Sequence, residues 1–192
     1  MTYLNFDIFD KPPLNDSQSH SINNNFFMVG NEVKKQAKFS YEAPFRTFGW
    51  NYYIKDLQEA RELRAFFRKN YGRFGSFWLP SFKRDIQFLS YDTQNAYAFK
   101  ATSANRGATL YNIKRHIYIP KLNFASKISV VTESSGVETI SLTSQLPAGI
   151  TTETEIMNLY FVRFSNDEFT LENAQVSFRA SLGFVELQGE SL

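Results

Sequence analysis

The sequence predicts a mostly β fold of the α+β class: an antiparallel sheet or small barrel with one packed amphipathic helix and an inserted β lobe. Three observations lead to this prediction. Short runs of β-forming residues recur along the 192 residues, separated by Asn, Ser and Gly. One segment shows helical periodicity instead. Aromatic residues make up 17% of the chain and hydrophobic residues 43%, which is enough to build a core and excludes full disorder.

The first 25 residues predict a polar arm. The tripeptide Lys11-Pro12-Pro13 and the run 15–25 are rich in residues that form turns and carry little apolar surface. We expect this arm, residues 1–25, to become ordered against a neighbouring molecule.

The core β domain is predicted to comprise residues 26–95 and 153–192. It opens with short strands at Phe26–Val29 and at 33–41. The next strand, Phe45–Ile54, is dense in aromatic residues, and its alternation has the period of a β-strand.

The one helix is predicted at about 56–70, because this stretch has no Gly or Pro and many good helix formers. Asp56 is a suitable N-cap, Glu59 stands three residues later as in a capping box, and Gly72 follows as a stop signal. The predicted buried face has three- and four-residue spacing and consists of Leu57, Ala60, Leu63 and Phe67.

An aromatic loop is predicted to follow the helix, at 72–82. Together with residues of the preceding strand and the helix it should supply the structural core. The predicted core residues are Trp50, Phe67, Phe74, Phe77, Trp78, Leu79 and Pro80.

Residues 96–152 are richer in Ser and Thr and predict the inserted β lobe, which we expect to be excisable from a folded core. Within it, Ser134-Ser135-Gly136 is a hairpin-turn candidate with 137–142 as the return strand. The chain then returns to the core domain through predicted strands at 156–164 and 174–187.

The residue types argue against an enzyme, a cofactor or a metal site. The chain has no Cys, which excludes disulfides, thiol catalysis and Cys-ligated metals. Its two histidines, His20 and His116, stand in a polar segment and in an apparent strand. A hydrolase with an unrecognised site stays open, because the members of a catalytic triad can come from anywhere in a sequence.

No apolar run approaches the length of a membrane span. The first ten residues also lack the features of a secretory signal. We therefore expect neither a membrane partner nor secretion.

The charges are unevenly distributed. Residues 61–84 hold seven basic residues and one acidic residue, interleaved with aromatic rings, and residues 151–192 hold seven acidic and two basic residues. A basic and aromatic segment is typical of single-stranded nucleic-acid binding, so a nucleic-acid-binding module using 61–84 is an alternative. We do not expect it to be the main function, since Pro80 would interrupt the aromatic strand of an RNA-recognition motif.

Two stretches of the sequence resemble structural proteins of tailed-bacteriophage virions. The first runs from the Arg61-Glu62-Leu63-Arg64 helix through Tyr71-Gly72-Arg73 to Phe77-Trp78-Leu79-Pro80 and Asp85. The second contains Tyr160-Phe161-Val162-Arg163-Phe164, Asp167 and Val176-Ser177-Phe178-Arg179. The resemblance covers roughly 45–90 and 153–187.

This resemblance implies a structural tail protein in the virion, with no enzyme activity and no cofactor. It would be assembled in the host cytoplasm into a hexameric or trimeric ring at the distal tail or baseplate hub, beside other tail proteins such as the tail tube and hub. A head–tail connector is an alternative location.

The charge asymmetry suits head-to-tail contacts in such a ring. We expect a basic stripe on the helix of one subunit to approach acidic residues of the next. The predicted contact residues are Arg61, Arg64, Arg68, Glu168, Glu172 and Glu186.

Overall fold

A computed structural model describes residues 1–14, 19–23, 26–29, 36–39, 45–104, 115–174 and 177–187. The protein is mostly β, with 49% of residues in strands and 11% helical, which confirms the predicted fold class. Eleven strands form a large antiparallel sheet that is not closed into a barrel over the described residues. Of the two predicted arrangements, the open sheet is therefore the correct one.

The helix α1 spans Leu57–Lys69. The strands in chain order are β1 (Thr2–Tyr3), β2 (Phe6–Asp7), β3 (Ser19–Asn23), β4 (Phe26–Val29), β5 (Gln36–Phe39), β6 (Phe45–Ile54), β7 (Ser76–Pro80), β8 (Phe88–Tyr91), β9 (Ala98–Thr102), β10 (His116–Ile119), β11 (Phe124–Ser134), β12 (Val137–Leu142), β13 (Met157–Phe164), β14 (Glu172–Ala174) and β15 (Ser177–Glu186).

The chain divides into two compact units. Unit 1 comprises Met1–Asp10 and Trp78–Tyr160, and unit 2 comprises Lys11–Phe77 and Phe161–Leu192. The sequence analysis placed an inserted lobe at 96–152, whereas both units of the structure are discontinuous. The observed divisions fall after Asp10, inside β7 and inside β13.

Unit 1 is built on the strand order β13-β10-β11-β12-β9-β8. The β11–β12 hairpin turns at Ser135 and Gly136, which both have positive φ, as a two-residue hairpin of type I′ requires. The predicted hairpin turn and return strand are therefore confirmed. The core of the unit is aliphatic with two Phe rings, and its members are Ile86, Phe88, Phe99, Ala101, Ile117, Ile119, Ile128, Ile140, Leu142, Leu146, Ile150 and Ile156.

The membership of this core contradicts the predicted excisable lobe. Ile86, Phe88 and Ile156 lie outside 96–152, yet they are buried with the residues inside it. Strand β8 also pairs with β9 across the predicted boundary. Removing 96–152 would strip three large side chains of the core from their neighbours, so those limits do not enclose a separable body.

The predicted N-terminal arm is wrong for the first ten residues, which pack into unit 1. Strands β1 and β2 form a small hairpin, and Ile8 bridges to Trp78. The side chains of Ile8 and Phe9 are buried, and the Phe9 N–H donates to the Trp78 carbonyl at 2.8 Å. Two buried apolar residues hold the segment down despite its polar composition. Residues 15–18, 24 and 25 of the predicted arm lie outside the described residues.

Unit 2 is organised around β6, which lies between β15 and β3. Its pairing with β15 extends from Ile54 opposite Phe178 to Thr47 opposite Val185. Strand β14 pairs with β15, and β4 and β5 form a separate hairpin. The long β6–β15 ladder provides the surface on which the core of the unit is built.

Helix α1 begins where the capping signals predict. The Asp56 side chain accepts the Glu59 N–H at 2.8 Å, and the Glu59 carboxylate accepts the Lys55 N–H at 3.0 Å. The buried face consists of Ala60, Leu63 and Phe67. Leu57, which was predicted to share that face, is 53% exposed, because it stands at the first helical position.

The core of unit 2 is aromatic. Ring centroids of Phe77 and Phe164 are 4.8 Å apart, as are those of Phe67 and Phe164. Phe184 extends the cluster to Trp50 at 5.4 Å. Tilted and edge-to-face contacts of this kind add to the burial of apolar area, so these rings hold helix and sheet together within the unit.

The segment after the helix was predicted as a loop, but Ser76–Pro80 is the strand β7. Every residue from Phe77 to Pro80 is buried, which makes both faces of the strand apolar and hides the alternation that identifies a half-buried strand. Pro80 is tolerated because it is the last residue of the strand. Of the predicted core residues, Phe74 alone is not buried. The buried ones are Trp50, Phe67, Phe77, Trp78, Leu79 and Pro80.

We predict that Trp78→Ala lowers the free energy of unfolding by about 3–5 kcal/mol, as truncation of a fully buried large ring does. Trp78 is 1% exposed, and its Nε1–H donates to the Tyr3 carbonyl at 2.9 Å. Urea unfolding followed by circular dichroism measures the change. Tyr97→Ala, at a ring that is 47% exposed, is the matched control and should change stability far less. Equal losses in the two variants would contradict the assignment of Trp78 to the core.

Candidate interaction surface

Residues 70–75, which we call the aromatic turn, end α1 in unit 2 and lead into β7. The Asn70 side chain donates to the Phe66 carbonyl at 2.9 Å, and the Gly75 N–H donates to the Asn70 carbonyl at 2.7 Å. These bonds satisfy carbonyl groups that a helix end otherwise leaves open. The turn is thus a closed, hydrogen-bonded structure.

Two consecutive residues of the aromatic turn have left-handed backbone conformations, Tyr71 with φ +49° and Gly72 with φ +61°. A Cβ at Gly72 would lie 2.8 Å from Asp167 Oδ1 and 3.1 Å from Asp167 Cα, so glycine is required there for space as well as conformation. Tyr71 has no such freedom. Its left-handed conformation costs about 1–2 kcal/mol, which the surrounding bonds must offset.

Asp167 fixes the far side of the aromatic turn. Its Oδ1 accepts the Arg73 N–H at 3.1 Å, and its Oδ2 lies 2.8 Å from Arg73 Nε. One carboxylate therefore holds both the backbone and the guanidinium of Arg73, in a charge-assisted arrangement. This contact joins residues 94 positions apart in sequence.

The aromatic turn carries two highly exposed rings. Tyr71 is 79% exposed and Phe74 is 83% exposed. The prediction of Phe74 as a core residue is wrong, because the closure of the turn directs it to solvent while the next aromatic residue, Phe77, enters the core. Large rings exposed on a fixed backbone are typical of binding surfaces.

The predicted basic stripe lies beside this turn on the exposed face of α1. Arg61, Arg64 and Arg68 are all exposed. The acidic residue Glu62 stands between these arginines in the sequence and pairs with Lys11 at 2.9 Å. Hydrogen bonds from Lys11 and Gln58 lower the pKa of the Glu62 carboxyl. The stripe therefore keeps a basic character.

The predicted acidic partners differ in their placement. Glu168 is exposed, directly after Asp167. Glu172 is exposed and lies opposite Arg179 in the β14–β15 pair.

Glu186 is buried, with Arg46 Nε 3.9 Å from its carboxylate. It continues the inward alternation of Ala180, Leu182 and Phe184 along β15. Its prediction as an inter-subunit contact is therefore wrong, and the period of the strand was the signal that could have shown it.

Sequence reasoning missed the role of Asp167 in holding the aromatic turn. No local pattern links Asp167 to Arg73, because the contact depends on how β13 and α1 are placed in the fold. The exposure of Phe74 did have a signal, since Gly72 and Gly75 bracket Arg73 and Phe74 as turn residues do.

His116, one of the two histidines of the chain, lies in unit 1 among aromatic rings. The Tyr3 hydroxyl and His116 Nδ1 are 2.9 Å apart, and the ring centroids of Trp78 and His116 are 4.6 Å apart. Burial, with smaller contributions from the charges of Lys127 and Arg115, lowers the pKa of His116 to about 4. The imidazole is therefore neutral near pH 7 and contributes to packing. His20 lies on β3.

Within the described residues, no cluster of three or more His, Asp or Glu side chains is arranged to bind a metal ion. None of the helices described has the length and apolar character of a membrane span. Comparison with protein-family models gave no match, and a search of curated proteins gave none.

We predict that Asp167→Ala lowers the free energy of unfolding by about 1 kcal/mol. The carboxylate accepts a backbone N–H and pairs with Arg73, but both side chains are about half exposed, which limits the contribution of the pair. Urea unfolding measures the loss, and tryptic cleavage after Arg73 should become faster as the turn loosens. Glu168→Ala is the neighbouring control. Unchanged cleavage in Asp167→Ala would contradict the anchoring role.

We predict that stability declines as the pH falls from about 6.5 to about 4, because the unfolded chain binds a proton at His116 that the folded protein resists. The stabilisation by the neutral His116 side chain is fully present above pH 6.5. About 2 kcal/mol of it is lost as the pH falls from about 7.5 to about 5. Urea unfolding at the two pH values measures it. His116→Gln, which cannot titrate, should lose about that much of the pH dependence, and an unchanged slope would contradict the prediction.

Proposed function

We propose that this protein is a structural component of a bacteriophage tail, assembling as a ring at the distal tail or baseplate hub. The observation that carries the proposal is the contact of Arg73 and Gly72 with Asp167. The Gly-Arg turn belongs to the first stretch that resembles tail proteins, and Asp167 belongs to the second. The two stretches that resemble tail proteins are therefore far apart in the sequence but meet at one site.

Other parts of these stretches also come together within their units. In unit 2, Phe77 of the first stretch packs against Phe164 of the second. In unit 1, Asp85 Oδ2 accepts the Asn158 N–H at 2.8 Å and also bonds the Ser81 hydroxyl, which fixes the turn after β7. These contacts support a common structural origin for the resemblance, since Phe77, Phe164 and Asp85 each have a role in holding the fold.

A structural role in assembly is also supported by the exposed aromatic turn. Tyr71 and Phe74 offer anchor side chains of the kind that dominate protein interfaces. The proposed partners are further copies of this chain, in a hexamer or trimer, and other tail proteins such as the tail tube and hub. The proposed location is the virion.

We predict that the purified chain forms a closed oligomer whose mass is a fixed multiple of 22.2 kDa. Analytical ultracentrifugation over a range of protein concentrations measures the mass, and electron microscopy should show rings. Immunogold labelling of phage particles distinguishes the tail tip from the head–tail junction, and so separates the hub location from a connector. A chain that stays monomeric at all concentrations and does not label particles would contradict the proposal.

A single-stranded nucleic-acid-binding module is the second candidate. It is favoured by the two exposed rings in the turn that follows α1, the helix with the exposed Arg64 and Arg68, since stacking surfaces combined with cations suit single strands. Binding of this kind weakens steeply as salt rises, because counterions are released from the phosphates. Titration with oligothymidine at several salt concentrations therefore separates this candidate from protein assembly.

A further inference from the structure

We propose that the aromatic turn is a self-association contact, in which Tyr71 and Phe74 of one copy pack head to tail against a second copy. This inference rests on the proposed function and names the surface through which copies meet. Its starting point is the combination of two rings about four-fifths exposed with a backbone that is fixed on both sides. A fixed surface loses little conformational entropy when it binds.

The left-handed conformation of Tyr71 strengthens this reading. Asn or Gly would take that backbone conformation at lower cost, yet the chain has a large ring there. Tyr at this position makes the backbone conformation of the turn less favourable than Asn or Gly would. Because its ring is exposed, it gains little free energy from burial within one copy. Strained backbone conformations cluster at functional positions, and here the hydrogen bonds of the turn hold the strain within one copy.

The charges around the turn indicate a second copy as the partner. On the helix side stand the exposed Arg64 and Arg68, and on the loop side stands the exposed Glu168, whose neighbour Asp167 is already paired with Arg73. An apolar centre with basic residues on one side and an acidic residue on the other suits a second copy, since the basic side of one copy can face the acidic side of the next.

The same charges make this surface less suited to nucleic acid. Arg73, the cation nearest to Phe74 in the turn, already faces Asp167 at 2.8 Å. Phosphates approaching the rings would also meet the exposed carboxylate of Glu168. A polyanion gains from an unbroken positive groove, and here the rings stand between charges of opposite sign.

The first experiment measures self-association of the full chain by analytical ultracentrifugation, with the wild type and Tyr71→Asn/Phe74→Ser. Asn accepts the left-handed conformation at position 71, and both removed rings are exposed, so the variant should fold. We expect its dissociation constant to rise on the order of 30-fold or more, as for the loss of interface anchors. Tyr97→Ser removes a ring that is 47% exposed in unit 1 and is the matched control.

The outcomes separate this inference from the proposed function. If the wild type assembles and the double variant assembles equally well, the aromatic contact is overturned and ring assembly still stands. A monomeric wild type would overturn both. Should the double variant fail to fold by circular dichroism, Phe74→Ser alone provides the test, because that side chain is 83% exposed.

A second experiment tests the paired charges. Arg64→Glu/Arg68→Glu in one preparation and Glu168→Lys in another should each weaken self-association, since like charges then meet. Mixing the two preparations should restore association toward the wild-type value, because altered sides of opposite sign can then pair. A mixture no better than its components would overturn the proposed arrangement. The proposal would also be overturned if the chain did not self-associate but bound oligothymidine in a salt-sensitive way, and if Tyr71→Asn/Phe74→Ser abolished that binding.

Discussion

Continuous burial of Phe77, Trp78, Leu79 and Pro80 is the constraint on which the rest of the structure depends. Phe77 joins the ring cluster of unit 2, and Trp78 anchors the N-terminal hairpin of unit 1 through its indole N–H and its backbone. A strand buried on both faces cannot shift its register without exposing large rings. The turns on either side of it, at 70–75 and at 81–85, are therefore placed by the core and held by two carboxylates, Asp167 and Asp85.

The sequence was most informative where the controlling interactions are local. The capping residues Asp56 and Glu59 act within one helical turn, and the Ser135-Gly136 hairpin turn is a matter of adjacent backbone angles. The β class likewise followed from the alternation and spacing of short runs. In the helix cap and the hairpin turn, the energy that decides the structure comes from neighbours a few residues apart.

The failures share the opposite cause. Phe74 and Phe77 are three residues apart and chemically identical, yet Phe74 lies in the closed turn and is exposed, while Phe77 is buried against Phe164. The first ten residues looked like an arm because their composition is polar, yet burial of Ile8 and Phe9 was enough to place them. The place of the first ten residues could not be read from composition, since it depends on which distant surface the chain meets. For Phe74 the two flanking glycines did indicate a turn.

Charge alone is a weaker guide to assembly than the sequence suggested. Glu186 is buried near Arg46, Glu172 faces Arg179, and Asp167 binds Arg73, so acidic residues of the C-terminal segment face cations of the same chain. Exposed pairs contribute at most about 1 kcal/mol each, which is less than the burial of one large ring. The surface with most to gain from a partner is therefore the one with exposed aromatic area. On this chain Tyr71 and Phe74 provide it, and the adjacent charges would select the orientation in which it is covered.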